Sequence, residues 1–172
     1  MTAMRLDMVR RELAQGAEIV TALSVGVSPE EARVRPAPGA WSLLEVVGHL
    51  LDEERLDFRS RLDLVLHRPD EVWAPIDPEA WVIEHQYNAG DLAETLQGFL
   101  AERQRSLAWL GTLTAPDWTR EYRAPSGPIT AGDLLASWAA HDLLHTRQLL
   151  ELRRARLLGH TAPHRTQYAG EW

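Results

Sequence analysis

Four stretches of this sequence repeat apolar residues at three- and four-residue intervals, and none alternates them convincingly enough for a strand. That pattern confines the chain to an all-α architecture. The first stretch, from about Met4 to Leu23, spaces Leu6, Val9, Leu13 and Val20 along one helix face. The second opens at Ser42, which with Glu45 supplies the two halves of a capping box, and can run to about Leu66, just before Pro69. Asp91 and Glu94 open the third in the same way, with Leu92, Leu96, Phe99, Leu107 and Leu110 as its stripe. Thr130 and Asp133 open the fourth, which reaches about Arg156. Ser28-Pro29-Glu30-Glu31 adds a short helical start that Pro36 and Pro38 cut off. Residues 68–88 and 111–129 are long links with three prolines each. In a bundle, a long link lets successive helices run parallel instead of forming a tight hairpin. The residues themselves predict one all-α domain over residues 1–158 with long links between its helices, followed by an irregular tail at 159–172.

A chain of 172 residues suffices for one core, and 45% hydrophobic with 25% charged residues is near the globular average. There is no cysteine, which excludes a disulfide framework, a thiolate nucleophile, an iron–sulfur cluster and any Cys-type zinc site. A bound metal must therefore rest on histidines and carboxylates. No stretch approaches the ~18 apolar residues of a membrane helix. The charges at Arg5, Asp7, Arg10 and Arg11 leave no room for a signal-peptide core. The expected location is the cytoplasm, with no membrane partner. A net charge of -7 also lacks the basic footprint of a nucleic-acid binder.

Seven histidines remain to be weighed. His141 and His145 are four residues apart, so they project from one helix face with Leu134, Trp138, Gln148 and Leu152 as wheel neighbours. Such a pair can clamp a metal, although Asp142 stands where the zinc-protease helix has its glutamate. On spacing alone the plainer reading is favoured, two half-buried histidines bonded to backbone or water. His49 shares its face with Leu56, Glu45, Asp52 and Glu53. One of these acids, Glu53 foremost, could orient an imidazole, act as a fourth ligand or serve as a general base. His67 is about 27 Å further along the same helix, and His85 reaches a site only if its link folds back. His160 and His164 fall in the exposed tail. One triad is thus worth assembling, His49 with His141 and His145. Three imidazoles would form an open site of the catalytic type, able to hold zinc, nickel, copper or ferrous iron. Spacing alone does not show that the two helices meet.

The stretch Arg35-Pro-Ala-Pro-Gly-Ala-Trp41-Ser42, with Glu45 and Gly48-His49-Leu50, resembles the DinB-like superfamily, which includes YfiT-type metal hydrolases. A second block matches in Gly127, Thr130, His141-Asp-Leu-Leu-His145 and Arg147-Gln148-Leu149. The resemblance spans about residues 5–155. It implies a four-helix bundle with a parallel step between the second and third helices. It also implies a divalent metal, often nickel or zinc, held by His49, His141 and His145, and a homodimer. Relatives of this kind join or transfer low-molecular-weight thiols such as bacillithiol, one is a mycothiol-dependent isomerase, and many have no known reaction. The expected function is activation of a small thiol or water, for transfer or hydrolysis of a small-molecule substrate, with Glu53 as the candidate catalytic acid or base. The alternative is a non-catalytic metal- or ligand-binding, stress-related dimeric bundle.

The remaining features have plainer readings. Trp138 packs the core in preference to lining a pocket, and Trp41 and Trp118 sit where tryptophans plug bundle ends. The Arg153-Arg154-Ala-Arg156 cluster complements the negative end of the fourth helix in preference to binding an anion. Gly16 predicts close helix packing. Catalysis would require a cleft, expected near Trp138 and the residues around His85.

Overall fold

The computed structural model describes residues 4–124 and 127–172. Its elements are α1 (Leu6–Ser24), α2 (Pro29–Ala32), α3 (Leu43–Asp52), α4 (Arg59–His67), α5 (Pro78–Glu84), α6 (Leu92–Thr112), β1 (Glu121–Ala124), β2 (Gly127–Thr130) and α7 (Ala131–Thr161). A π-helical segment, Glu53–Phe58, joins α3 to α4. The four long helices of the bundle are α1, the continuous α3–α4 rod, α6 and α7.

Local chemistry sets the starts. The side chain of Ser42 accepts the Glu45 backbone N–H, while Glu45 accepts the Ser42 N–H at 2.8 Å. Thr130 and Asp133 form the same box. Asp91 caps α6 alone, accepting from the backbones of Ala93 and Glu94, so no reciprocal box with Glu94 forms there.

Cross-helix contacts give the chain directions. Leu51 meets Gly98, Glu54 meets Arg103 and Arg59 meets Ser106, so α3–α4 and α6 run parallel. Gly16 meets Asp142 and Ala22 meets Arg153, so α1 and α7 are parallel too. Arg10 bonds to Leu107 whereas Leu13 bonds to Arg103, which makes α1 and α6 antiparallel. The link after α4 is therefore the crossover expected from its length. The second long link makes no parallel step. It carries α6 back into an antiparallel α7.

The second link also corrects the expectation that the chain has no strand. Strands β1 and β2 pair antiparallel, Glu121 with Thr130 through Ala124 with Gly127. Each strand is four residues long, and Pro128 can sit in β2 only because the pair is all edge. Such short strands leave no alternation to read. Pro125 of this link lies outside the described residues. At the C-terminus α7 continues to Thr161, past the expected stop at Arg156, and a 3₁₀ turn at Gln167–Ala169 follows.

The core has two apolar halves. Val20, Leu44, Val47, Phe99 and Leu149 fill one, and Leu13, Leu62, Val65, Leu110, Leu135 and Trp138 fill the other. Between them all four helices contribute a polar belt. There Arg103, 2% exposed, forks onto Glu54 at 2.8 and 2.9 Å and onto Asp142 at 2.5 and 2.9 Å. Its fifth N–H bond goes to the Leu13 carbonyl at 2.6 Å, so the guanidinium is saturated. Trp138, in the core as expected, donates its indole N–H to Glu54 at 3.0 Å.

Gly16 confirms the close packing that its position suggested. A Cβ there would lie 2.4 Å from the Asp142 carboxylate, which Arg103 holds in place. Gly16→Ala should therefore destabilise the fold by about 1–3 kcal/mol, despite alanine's helix advantage of up to about 1 kcal/mol. Urea unfolding of the variant beside the parent checks this.

Candidate metal centre

His49 comes from the middle of α3, and His141 and His145 come from successive turns of α7, just above the Arg103 belt. The antiparallel contact of these two helices turns three rings toward one point. The Nε2 atoms of His49 and His141 are 3.2 Å apart, and those of His141 and His145 are 3.1 Å apart. The three residues form a group able to hold a metal ion, with ligand atoms within 4.8 Å of one another. Tetrahedral coordination at ~2.0–2.1 Å per nitrogen places ligand nitrogens about 3.3–3.4 Å apart, close to these spacings.

Protonation supports the same reading. Burial, then the neighbouring imidazole of His145, pushes His49 down to about 3. Burial and the other two rings push His141 down to about 3, and burial lowers His145 as well. All three are neutral at pH 7, the form that ligates. His145 Nδ1 lies 2.8 Å from Gln148 Oε1, and an N–H donated there leaves the Nε2 lone pair facing inward. Three such nitrogens grouped together could hold a cation.

The depressed imidazoles also fix how stability responds to acid. Between pH 6.5 and about 3 the unfolded chain takes up protons that the folded triad refuses. The metal-free protein should lose stability as pH falls through that window, by up to about 1.4 kcal/mol per unit for each imidazole. Urea midpoints at pH 7 and pH 5 measure the slope.

Glu53 sits on the far side of His49 from the convergent nitrogens. Its Oε1 is 3.9 Å from His49 Nδ1, and both atoms are buried with no hydrogen-bond partner among the described residues. Burial, with the nearby Asp57 carboxylate, holds the Glu53 carboxyl well above its ordinary range. Asp57 is itself met by Arg61 at 2.7 Å. The π-helical segment carries Glu53, Glu54, Asp57 and Phe58, all buried, into this region. π-Bulges recur at functional sites.

Aromatic rings close the centre. Trp41 lies 4.9 Å from the His49 ring and stacks over His145 at 6.3 Å, while Phe58 sits 5.1 Å from His141. A cleft of about 500 Å³ reaches His145 between Gly39, Ala40, Trp41, Glu79 and Gln148. Trp41 thus lines the site, where the sequence suggested only a plug for the bundle end. Trp138 does not line this cleft, and neither does His85.

The other histidines stand apart from the triad. The crossover link does fold back, but His85 Nδ1 meets Asp52 Oδ2, at 2.5 Å, and Tyr87 donates to the same oxygen at 2.7 Å. His67 lies beside Asp63 and His160 beside Glu31. His164 is exposed.

The DinB superfamily profile matches residues 12–149, most of the chain and all three histidines. The chain belongs to the DinB superfamily. Among solved structures, this DinB protein is similar to YfiT from Bacillus subtilis, described as a probable metal-dependent hydrolase with an unusual four-helix bundle topology. The likeness has a TM-score of 0.78 at 23% identity, covering 90% of this chain and 89% of that one. At that identity it shows a shared fold. No curated protein matches the chain.

Proposed function

We propose that this DinB protein is a metal-dependent enzyme, in which His49, His141 and His145 hold a divalent transition metal, nickel or zinc. It would act on a small molecule by hydrolysis or by transfer to a low-molecular-weight thiol. The observation that carries the reading is the convergence of three imidazoles, the whole of the grouped ligand set among the described residues, beside a cleft that reaches His145. Closed four-ligand sites are structural, whereas three-ligand sites keep a position for water or substrate. A divalent ion there would supply Lewis-acid chemistry, drawing a water or thiol toward ionisation near neutral pH. With no cysteine in the chain, any thiol must arrive as a cosubstrate. The description of YfiT as a probable metal-dependent hydrolase favours water as the nucleophile.

The protein's own groups then have distinct tasks. Gln148 fixes the ring of His145, and Trp41 walls the cleft beside the imidazoles. Glu53, buried on the Nδ1 side of His49, is placed to orient that ring rather than to touch substrate. Glu53→Gln tests this. As a positioning residue it should lower metal affinity by about 10–100-fold, measured by competition with a chromophoric chelator. Full metal retention with abolished turnover would instead make Glu53 the catalytic acid or base.

The homodimer and the cytoplasmic location belong to the same proposal, and sedimentation of the purified protein tests the first. No helix among the described residues is long and apolar enough to cross a membrane.

A further inference from the structure

A second cavity, of about 470 Å³, opens between the last third of α7 and the connection from α1 to α3. Leu152 and His160, at its two ends, are 7 and 15 residues beyond His145 on α7. That places the cavity roughly 10 to 22 Å along the helix axis from the triad. Its walls are Leu23, Val27, Val34, Leu43 and Leu152, and its volume falls within the ~300–1,000 Å³ range of small-molecule sites.

The rim is charged and unbalanced. Glu31 is its one acid, and that carboxylate is already engaged by Arg156 at 3.1 Å, His160 at 2.8 Å and the Ser28 backbone N–H at 3.0 Å. Arg153 is not matched in this way. Its one bond among the described residues is a long contact of 3.4 Å to the Ala22 carbonyl, at the weak end of hydrogen-bond geometry. The bond from Arg156 to the Gly26 carbonyl is equally long. The Arg153 guanidinium therefore borders an apolar cavity with no anion assigned to it among the described residues.

Gly159 lines the cavity from the last turn of α7. Its φ is not positive, and a Cβ built on it meets nothing within 4 Å. Neither backbone conformation nor packing calls for glycine there. The position is exposed at the edge of the cavity, with room for a larger side chain.

We propose that this cavity is a second ligand site, separate from the metal centre, for a small amphipathic monocarboxylate whose apolar body lies between α1 and α7 and whose head meets Arg153. Charge complementarity selects an anion, and the apolar walls select a hydrocarbon body. The chain's own tail is occupied elsewhere, with Trp172 against Arg154 at 5.2 Å, and no residue after His160 lines the cavity.

Calorimetric titration of the metal-loaded protein with n-decanoate tests the site, with decyltrimethylammonium as the charge-reversed control. The expected result is one equivalent of decanoate bound, with the ammonium at least tenfold weaker. Gly159→Phe fills the cavity without a backbone clash, and should abolish binding while melting temperature holds or rises and metal content is unchanged. Arg153→Gln, which removes only a 3.4 Å bond, should weaken decanoate at least tenfold. Absence of decanoate binding, or binding indifferent to both substitutions, overturns the proposal. So does conversion of a dimer to a monomer by Gly159→Phe, which would assign the cavity to a second copy of the chain.

Discussion

Arg103→Met should cost about 3–5 kcal/mol of stability, the penalty for removing one partner of a buried ion pair. The methionine would keep most of the stem's packing but leave Glu54 and Asp142 facing each other without a counter-charge. It would also orphan the Leu13 carbonyl. Folding at neutral pH would then require proton uptake by one of the carboxyls. Chemical denaturation gives the loss directly. Adding Glu54→Gln and Asp142→Asn to Arg103→Met removes the unpaired charges, and should recover a large part of it. A loss below about 1 kcal/mol would mean that the belt is hydrated and contributes no more than a surface pair. The stakes extend to the metal centre, because Asp142 adjoins His141 and Glu54 adjoins Glu53. The fork of Arg103 thereby ties together the two helices that carry the triad.

The second large effect is stabilisation by metal. An ion that binds only the folded state adds RT ln(1 + [M]/Kd), about 2.7 kcal/mol at one hundred times Kd. For a chain of 172 residues that corresponds to a rise in melting temperature of roughly 5–10 °C. Zinc or nickel should produce the rise in the chelator-stripped protein. His49→Ala should remove it, because the remaining pair on α7 has lost the ligand that bridges to α3. Calorimetric scans of both proteins, with and without metal, supply the comparison. An undiminished rise in His49→Ala would place the stabilising ion elsewhere.

Much of this was written in the sequence, for identifiable reasons. The bundle was legible because the long helices repeat apolar residues at helical spacing and three of the four open with a capping residue, Ser42, Asp91 and Thr130, while α1 starts after Arg5 without a side-chain cap. The crossover after α4 was singled out by the superfamily resemblance, because length and prolines mark the second link equally and that link makes no parallel step. The pair His141 and His145 follows from helical spacing, but the third member does not. His49 joins them only through the antiparallel contact of α3 with α7, which no local pattern encodes and which the superfamily resemblance supplied. The belt escaped notice because Glu54, Arg103 and Asp142 are charged residues on amphipathic helices. Such residues read as solvent-facing until three helices bring them together. The role of Trp41 was hidden for a similar reason. It precedes the α3 cap, and only the backbone path there turns its ring onto His49 and His145. The β1–β2 pair was too short to carry a period of its own.

The central claim is that His49, His141 and His145 form a metal site. Metal analysis by mass spectrometry of untagged protein, beside the His141→Ala/His145→Ala double variant, tests it most directly. The prediction is about one equivalent of a single divalent transition metal in the parent chain, and none in the variant. No metal in either protein, even after reconstitution with zinc and with nickel, would contradict the claim and leave three histidines that merely pack.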